Sequence, residues 1–483
     1  MKVGVLKKKY ENLSIPVKAA FWYTICNIVN KGIALISTPI FTRILSEEQY
    51  GTFAVFQSWF SILIIFTSLN VFLNGYQKGL LKYKDNIDEF TSSQLGFTTT
   101  ITIIFIVIYC SNIKFWTKIF ELSPVLMAVM FLELIIMPAL DLWAEKQRFY
   151  YKYKKYVVVS LLVSVLSIAG GILAVINSSY KVEARVYSDV LAKAVFAGPL
   201  FVFIFFHGKT FFNKEYWKYA LAFNLPLLPH YLSNYVLNQS DRLMISHMIG
   251  NTQAAYYSVS YTISSMMMLV VSAINNSLTP YIYKTIDLEN NMNIKDIKNV
   301  TRPLIILVSG LCIVTMAFAP EVILIFAGKR YMDAVYIIPP VAASIYFIFI
   351  YSLFGNIEYF YQKTKLISVA TCMSAFFNLI LNYIFIEKFG YYAAGYTTLI
   401  CYMCLAFMHF IFYRKILKEE KYKEDIYDIR VIMLISLITL LIMFMMTITY
   451  KNIFIRYTII IIIISLIIIK RNKLVELLNK FRR

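Results

Sequence analysis

Apolar segments of about 18 or more residues recur along the whole chain, and each is long enough to cross a lipid bilayer as an α-helix. Hydrophobic residues make up 59% of the 483 residues, whereas about 45–50% is typical of soluble domains. No soluble domain fits between the apolar segments. Because a backbone inside hydrocarbon must satisfy its own hydrogen bonds, the segments predict an all-α polytopic membrane protein with about 14 transmembrane helices.

The distribution of charge between the apolar segments predicts the topology. We place the helices at residues 19–41, 53–74, 95–112, 123–144, 156–177, 186–206, 219–240, 254–283, 303–327, 334–356, 365–386, 391–413, 430–450 and 453–470. Assigning alternate loops to opposite sides puts about 34 Lys and Arg residues on the N-terminal side and about 11 on the other. This asymmetry predicts that both termini are cytoplasmic. The net charge of +20 is then mostly a topology signal, with some attraction to anionic lipid, and we expect no nucleic-acid partner.

Two segments of the chain read as copies of each other. Residues 67–76 align with residues 272–281 at an offset of about 205, which pairs Asn70 with Asn275. Shorter matches follow in the same order, including Arg43 with Arg242. The copies lie at the ends of the second and eighth apolar segments, so they have the same orientation in the membrane. Parallel repeats of this kind are typical of transporters.

The repeat predicts two pseudo-symmetric six-helix lobes, residues 1–208 and residues 215–416. Residues 417–483 then form a charged linker and two extra transmembrane helices. The last helix is nearly pure isoleucine, and we expect it to face lipid or to pack beside the core.

Polar residues form a face on the first predicted helix. Tyr23, Asn27, Lys31, Ala34 and Thr38 are spaced by three or four residues, which places polar or small side chains on one side of a helix. A lysine at the middle of a bilayer costs about 2.5–3.5 kcal/mol, and such residues usually face a cavity or a partner. We therefore expect Lys31 to line a cavity, with snorkelling to the membrane surface as the alternative.

The seventh predicted helix has a similar stripe. It consists of His230, Asn234, Asn238 and Asp241, with Arg242 adjacent. Arg242 could instead pair with Asp241 at the helix end. The second and eighth helices add further amides and hydroxyls at Thr67, Asn70, Asn74, Gln77, Ser265, Ser272, Asn276 and Thr279.

Ionisable residues inside other predicted helices are candidates for ion coupling. Glu133 has no partner three or four positions away on its helix, so we select it as a proton- or sodium-coupling carboxylate, with Asp241 as a second candidate. Asp189 and Lys193 are four residues apart and are predicted to form an intrahelical ion pair. Glu321 and Glu358 are further candidates.

Motifs for enzymatic or cofactor chemistry are missing from the sequence. It has no Walker lysine loop, no glycine-rich nucleotide loop and no Ser/His/Asp set, so we expect no cofactor and no catalytic residues. We also expect no metal and no disulfide, because all the cysteines fall in or beside apolar segments: Cys26, Cys110, Cys312, Cys372, Cys401 and Cys404.

Several motifs, taken in order, give the chain a family resemblance. Residues 39–53 resemble the opening signature of bacterial polysaccharide flippases, and residues 223–230 and 238–242 resemble their seventh-helix signature. Residues 255–259 and 278–283 resemble the eighth helix, and residues 389–395 resemble the turn into the twelfth. The chain thus resembles the O-antigen and capsule repeat-unit flippases of the multidrug/oligosaccharidyl-lipid/polysaccharide exporter superfamily.

This resemblance implies a V-shaped, two-lobe bundle of the bacterial inner membrane that works by alternating access, with ion coupling. The implied cargo is an undecaprenyl-pyrophosphate-linked glycan, and the implied partners are the lipid bilayer, a polysaccharide polymerase and a chain-length regulator. In related flippases of peptidoglycan precursors, cavity arginines hold the pyrophosphate; here Lys31 stands in the first-helix position. The expected cargo-binding residues are Asn27, Lys31, Arg43, Asn70, Asn74, His230, Asn234, Asn238, Arg242 and Asn275.

Three other functions are compatible with parts of the sequence. A multidrug or cation exporter of the same superfamily would favour central carboxylates over Lys31. A membrane-embedded polysaccharide polymerase or ligase would need a sizeable extracytoplasmic loop, and all the predicted loops are short. A transporter of teichoic-acid or peptidoglycan precursors would differ only in its cargo.

Overall fold

The computed structural model describes residues 14–287, 294–422 and 424–469, and every regular element within these ranges is helical. Twelve helical segments within them are long and apolar enough to cross a membrane. Two more predicted spans are also helical. One of them, α10 (Leu228–Met248), is more polar than these twelve segments, and the other, α19 (Ile453–Ile469), is only 17 residues long. The all-α polytopic class is therefore confirmed, and the helices are consistent with about 14 spans.

The contacts divide the chain into two compact units, Met1–Ala255 and Tyr256–Arg483. The division falls within α11 (Asn251–Ser265), and the lobes predicted from the sequence repeat stay a prediction. The helices of the first unit are α1 (Ile15–Ile44), α2 (Glu47–Ser68), α3 (Asn74–Lys82), α4 (Ile87–Ser111), α5 (Ile113–Phe120), α6 (Pro124–Phe149), α7 (Tyr153–Ile176), α8 (Lys181–Gly208), α9 (Lys214–Asn224) and α10 (Leu228–Met248). Within this unit α8 packs against α4, α6 and α7, α1 packs against α7, and α10 packs against α2.

The second unit is built around one central helix. Most residues of this helix, α15 (Ile338–Phe360), are buried, and it packs against α12, α13, α17 and α18. The helices from the division onward are α11 (Asn251–Ser265), α12 (Met267–Asp287), α13 (Ile294–Ala317), α14 (Ala319–Phe326), α15 (Ile338–Phe360), α16 (Thr364–Phe389), α17 (Tyr392–Glu419), α18 (Ile429–Thr449) and α19 (Ile453–Ile469). A 3₁₀ segment, Lys329–Ile337, leads into α15.

The second predicted helix is shorter than expected. It begins at a capping box, in which Ser46 Oγ accepts a hydrogen bond from the Gln49 backbone N–H and the Gln49 side chain accepts one from the Ser46 backbone N–H. It ends at Ser68, because Leu69 and Asn70 adopt left-handed backbone conformations with φ of 47° and 51°. Asparagine tolerates this conformation, but leucine does so at a cost. Burial of Leu69 with Val71 and neighbouring side chains holds the turn in place.

The two stretches predicted to be copies consequently differ in local structure. Residues 67–76 contain this turn, whereas residues 272–281 lie within the continuous helix α12. No buried residue takes the place of Leu69 in the second stretch, because Ala273, Ile274 and Asn275 are exposed or half-buried. The polar residues expected on one face of the second helix, Asn70 and Asn74, therefore belong to a turn and to the start of α3.

Two other predicted helices are interrupted. The segment predicted at 219–240 consists of α9 and α10, joined by the 3₁₀ turn Leu225–Leu227, because Pro226 cannot donate a helical N–H. The segment predicted at 303–327 is divided between α13 and α14, with Pro320 in the first turn of α14.

We predict that the close approach of α2 to the start of α11 requires glycine at position 51. A Cβ at Gly51 would lie 1.8 Å from the carbonyl oxygen of Asn251. Overpacking of this kind costs about 1–3 kcal/mol or more, so Gly51→Ala should lower the melting temperature of the purified protein. The control is Gly32→Ala in α1, where a Cβ meets no heavy atom within 4 Å. That variant should melt at or above the wild-type temperature, because alanine favours helix. A wild-type melting temperature for Gly51→Ala would contradict the described packing.

Candidate functional site

One face of α1 packs against α7 through side-chain hydrogen bonds. The Asn30 amide donates to Ser160 Oγ at 2.7 Å, and its oxygen accepts from Ser164 Oγ at 2.8 Å. Cys26 is buried on the same side, in a cluster with Tyr156 and Val157. These contacts fix the rotation of α1 and so decide which residues it leaves accessible.

The exposed face of α1 carries Asn27, Lys31 and Ala34, the middle of the predicted stripe. No ion pair joins the Lys31 ammonium to a carboxylate of the described residues. The two ends of the stripe are packed instead. The Tyr23 ring meets Tyr156 with the centroids 5.3 Å apart, and Thr38 is buried with its hydroxyl 3.4 Å from the Ala34 carbonyl oxygen. The accessible polar face therefore spans about two turns of helix around a single lysine.

The stripe on α10 is half-buried and largely bonded to its own helix. The Asn234 amide donates to the His230 carbonyl oxygen at 3.2 Å and lies 3.3 Å from His230 Nε2, while Asn238 donates to the Asn234 carbonyl oxygen at 2.6 Å. Asp241, at the end of the stripe, is fully buried. The two asparagine side chains are thus bonded within their own helix, whereas the buried Nδ1 of His230 has no hydrogen-bond partner among the described residues.

The two arginines expected to bind cargo have different surroundings. Arg43 is exposed near the end of α1 and donates to the Pro39 carbonyl oxygen at 2.9 Å. Arg242 is half-buried and donates to Gln239 Oε1, which also accepts from Ser58 Oγ at 3.2 Å. Arg242 therefore belongs to the packing between α10 and α2.

The remaining predicted residues lie on other elements. Asn70 is buried in the turn after α2, and its backbone N–H donates to Ser68 Oγ at 3.1 Å. Asn74 begins α3, and its side chain lies outside the part that the structure describes. Asn275 is half-buried in the second unit, where its oxygen accepts from Ser352 Oγ at 3.1 Å.

A buried ion network in the first unit contains the predicted coupling residue. The Lys193 ammonium lies 2.8 Å from Asp189 on the same helix, which confirms the predicted intrahelical pair. It also lies 2.6 Å from Glu133 Oε1 on α6, a partner that helical spacing alone could not show. Arg185, one turn before Asp189, completes the set at 3.6 Å from the carboxylate. Two cations and two carboxylates are thus neutralised together inside a membrane-spanning unit.

Other helices contribute uncharged contacts to this network. Gln57 of α2 donates to Asp189 at 3.2 Å, and Ser167 of α7 donates to the same carboxylate. The Arg185 guanidinium lies over the rings of Phe41 and Phe53, at 4.2 and 4.5 Å from their centroids. The network therefore joins α1, α2, α6, α7 and α8. Sequence reasoning missed Arg185, although its spacing of four from Asp189 was the available signal.

The second unit has its own buried pairs. His409 Nδ1 of α17 lies 2.6 Å from Glu358 of α15, and both side chains are almost fully buried. Glu321 pairs with Arg456 of α19, so the last helix carries a buried charge that its isoleucine-rich sequence obscured. These pairs place Glu321 and Glu358 in structural contacts between helices.

Comparison with known proteins identifies the family. Residues 17–286, more than half of the chain, match the family described as "Polysaccharide biosynthesis protein". The chain belongs to this family. The membership confirms the resemblance that the sequence motifs indicated.

Individual relatives are distant. The "Lsg locus putative protein 1" of Haemophilus influenzae is 23% identical over 379 residues, which is 73% of this chain and 86% of the relative. The "Probable low-salt glycan biosynthesis flippase Agl15" of Haloferax volcanii is 21% identical over 80% of each chain. Among solved structures, the lipid II flippase MurJ in its inward closed conformation aligns with a TM-score of 0.69. It covers 94% of this chain and 99% of MurJ at 14% identity, so the two share a fold.

We predict that charge balance, rather than any single side chain, stabilises the buried network. Lys193→Met leaves Glu133 and Asp189 with only Arg185 to neutralise them. Removing one partner of a buried ion pair costs about 3–5 kcal/mol, so thermal unfolding in detergent should shift to a clearly lower temperature. The double variant Lys193→Met, Glu133→Gln restores neutrality and should recover part of the loss. The exposed Lys155→Met is the control and should behave like wild type. A double variant that is no more stable than Lys193→Met would contradict the charge-balance explanation.

Proposed function

We propose that the protein is a flippase that moves undecaprenyl-pyrophosphate-linked oligosaccharide repeat units across the bacterial inner membrane by alternating access. The observation that carries this proposal is the accessible face of α1, where Lys31 lies in a membrane-spanning helix with no carboxylate partner among the described residues. Family membership gives the biological setting, namely the synthesis of polysaccharide. The distant relative named as a glycan biosynthesis flippase supports the same assignment.

The chemistry of such a cargo explains why an unpaired lysine would be retained. A lysine in hydrocarbon costs free energy unless an anion or water compensates it. A pyrophosphate supplies that anion, and its oxygens form charge-assisted hydrogen bonds with an ammonium group. The buried cations of the network in the same unit, Arg185 and Lys193, are already neutralised by carboxylates, whereas Lys31 is not. Lys31 is therefore the proposed pyrophosphate-binding residue, with Arg43 and Arg242 in supporting roles.

The amides would serve the sugar part of the cargo. Sugar hydroxyls need hydrogen-bonding partners throughout their passage, because they cannot enter hydrocarbon unpaired. Asn27 on α1 is exposed, and Asn234 and Asn238 are half-buried on α10, with amide groups of the kind that hydrogen-bond to sugar hydroxyls. His230 adds a ring nitrogen. We further propose that Glu133 and Asp241 take part in ion coupling, because both are fully buried carboxylates in the first unit.

The proposed setting follows the charge distribution of the loops. We place the protein in the inner membrane with both termini in the cytoplasm. The cargo would come from cytoplasmic synthesis, and a polymerase with its chain-length regulator would use it on the other side. No catalytic step by this chain is part of the proposal.

We predict that Lys31→Ala abolishes most transport without affecting insertion. In a deletion strain, lipid-linked repeat units should accumulate on the cytoplasmic face, and the wild-type gene should restore surface polysaccharide. Lys31→Ala should reduce the restored flux by about tenfold or more, as expected for the loss of a hydrogen bond to a charged group. Lys31→Arg should retain most of the flux. Flux is measured as labelled surface polysaccharide, and protein in the membrane fraction is quantified in parallel.

The matched control is Lys114→Ala, which removes another exposed lysine of the first unit. It should restore surface polysaccharide fully. Wild-type flux from Lys31→Ala would remove this residue from the mechanism, and normal surface polysaccharide in the deletion strain would remove the proposed function.

A further inference from the structure

The second unit contains a charged cavity at the ends of three of its membrane-spanning helices. Its volume is about 920 Å³, within the range of about 300–1,000 Å³ that is usual for small-molecule sites. It lies where the first turns of α13, the last turns of α17 and the start of α18 meet the loop between α17 and α18. We call it the linker cavity, because that loop belongs to the charged linker predicted from the sequence.

Buried tyrosines hold the wall of the linker cavity in place. Tyr413 OH accepts hydrogen bonds from the backbone N–H groups of Ile426 and Tyr427, at 2.7 and 3.3 Å. Tyr427 OH donates in turn to the Leu353 carbonyl oxygen of the central helix α15 at 2.7 Å. The loop is thus fixed to α15 and α17, which makes the cavity a built feature of the fold.

The cavity carries more positive than negative charge. Each of its three carboxylates is already held by a cation, in the pairs Lys298–Glu424 at 3.3 Å, Arg414–Asp425 at 2.6 Å, and Arg302–Asp428. Partial burial alone would raise the pKa of Asp428. The Arg302 guanidinium and the Val431 backbone N–H outweigh it, so this pKa lies below its ordinary value and the carboxylate stays ionised at neutral pH.

Three further cations line the cavity outside these pairs, namely Lys415, Lys418 and Arg430. Lys415 is 4.0 Å from Glu419, at the limit of an ion pair, and both side chains are exposed. Neither Lys418 nor Arg430 has an ion pair with a carboxylate of the described residues. Among the described residues that line the cavity, six cations against three carboxylates leave a surplus of three positive charges, which points to an anionic ligand.

We propose that the linker cavity binds an anion that carries two phosphate groups, either as the headgroup of a membrane lipid or as a free diphosphate. Lys and Arg are the usual ligands of phosphate oxygens, and basic pockets beside membrane helices on the cytoplasmic side bind multiply charged headgroups. The surplus of three charges and the size of the cavity both exceed what a single phosphate needs. This binding does not require that the protein transports anything, so it stands or falls separately from the proposed function.

The test uses the full-length protein in nanodiscs, with two probes that separate the two sources of the anion. One probe is inorganic pyrophosphate added to nanodiscs of neutral phosphatidylcholine. The other is cardiolipin, a lipid with two phosphates, incorporated into the nanodiscs at increasing fractions. Affinity is measured as the saturable rise in melting temperature and as bound lipid in native mass spectrometry.

Three variants are compared with wild type. The glutamine variant, Lys415→Gln with Lys418→Gln and Arg430→Gln, removes the surplus positive charge of the cavity. Its affinity for the anion should fall on the order of 100-fold, because each cation near the membrane surface contributes about fivefold to binding. The conservative variant, Lys415→Arg with Lys418→Arg and Arg430→Lys, should bind within a few-fold of wild type.

The matched control removes an equal charge from the first unit, through Gln at three exposed lysines, namely Lys152, Lys154 and Lys155. It should bind like wild type.

Binding of cardiolipin alone assigns the site to lipid, and binding of pyrophosphate in neutral nanodiscs assigns it to a free diphosphate. Absence of saturable binding by wild type to either probe would overturn the proposal, whatever the stability of the variants. Equal affinities for wild type and the glutamine variant would overturn it as well.

Discussion

Charge inside a membrane has to be neutralised by the protein itself, and this constraint organises the first unit. Arg185, Asp189, Lys193 and Glu133 neutralise one another between α6 and α8, and side chains from three more helices complete their surroundings. Removing any one of these charged side chains destabilises the fold, because it leaves an uncompensated charge in a medium that cannot solvate it. The network therefore ties helices that are distant in sequence into one body. Lys31 differs from these residues, since its ammonium is exposed on α1 and has no described carboxylate partner.

The contrast between paired and unpaired charge supports a division of roles within the first unit. The buried network stabilises the helices that carry the accessible face of α1. Under the proposed function, that face would offer a cation and an amide to an anionic, hydroxyl-rich cargo. On α10, the amide groups of Asn234 and Asn238 donate hydrogen bonds to carbonyl oxygens of their own helix, so these groups have partners when no ligand is bound. Under the proposed function, Glu133 would belong to both systems, as a structural partner of Lys193 and as a coupling carboxylate.

Much of the architecture could be predicted from the sequence, because apolar length and helical spacing are local properties. The helical class followed from the apolar segments, and the Asp189–Lys193 pair followed from a spacing of four residues. The contact of Lys193 with Glu133 could not be predicted, since it joins two helices whose packing no local pattern encodes. The left-handed turn at Leu69 was also missed, because buried packing rather than backbone preference holds it. For that reason, residues 67–76 were expected to match residues 272–281 more closely than their structures do.

Translocation by the purified protein in vesicles tests the proposed role of Lys31 in moving a diphosphate-linked cargo. A defined oligosaccharide is attached either to a polyprenyl diphosphate or to a neutral lipid of the same chain length, and its appearance in the opposite leaflet is followed with a membrane-impermeant reagent. If Lys31 binds the diphosphate, the diphosphate-linked sugar should cross the membrane at least about tenfold faster than the neutral lipid-linked sugar. It should also cross faster than it does in protein-free vesicles. Equal rates for the two lipids, or rates no higher than in protein-free vesicles, would contradict the account.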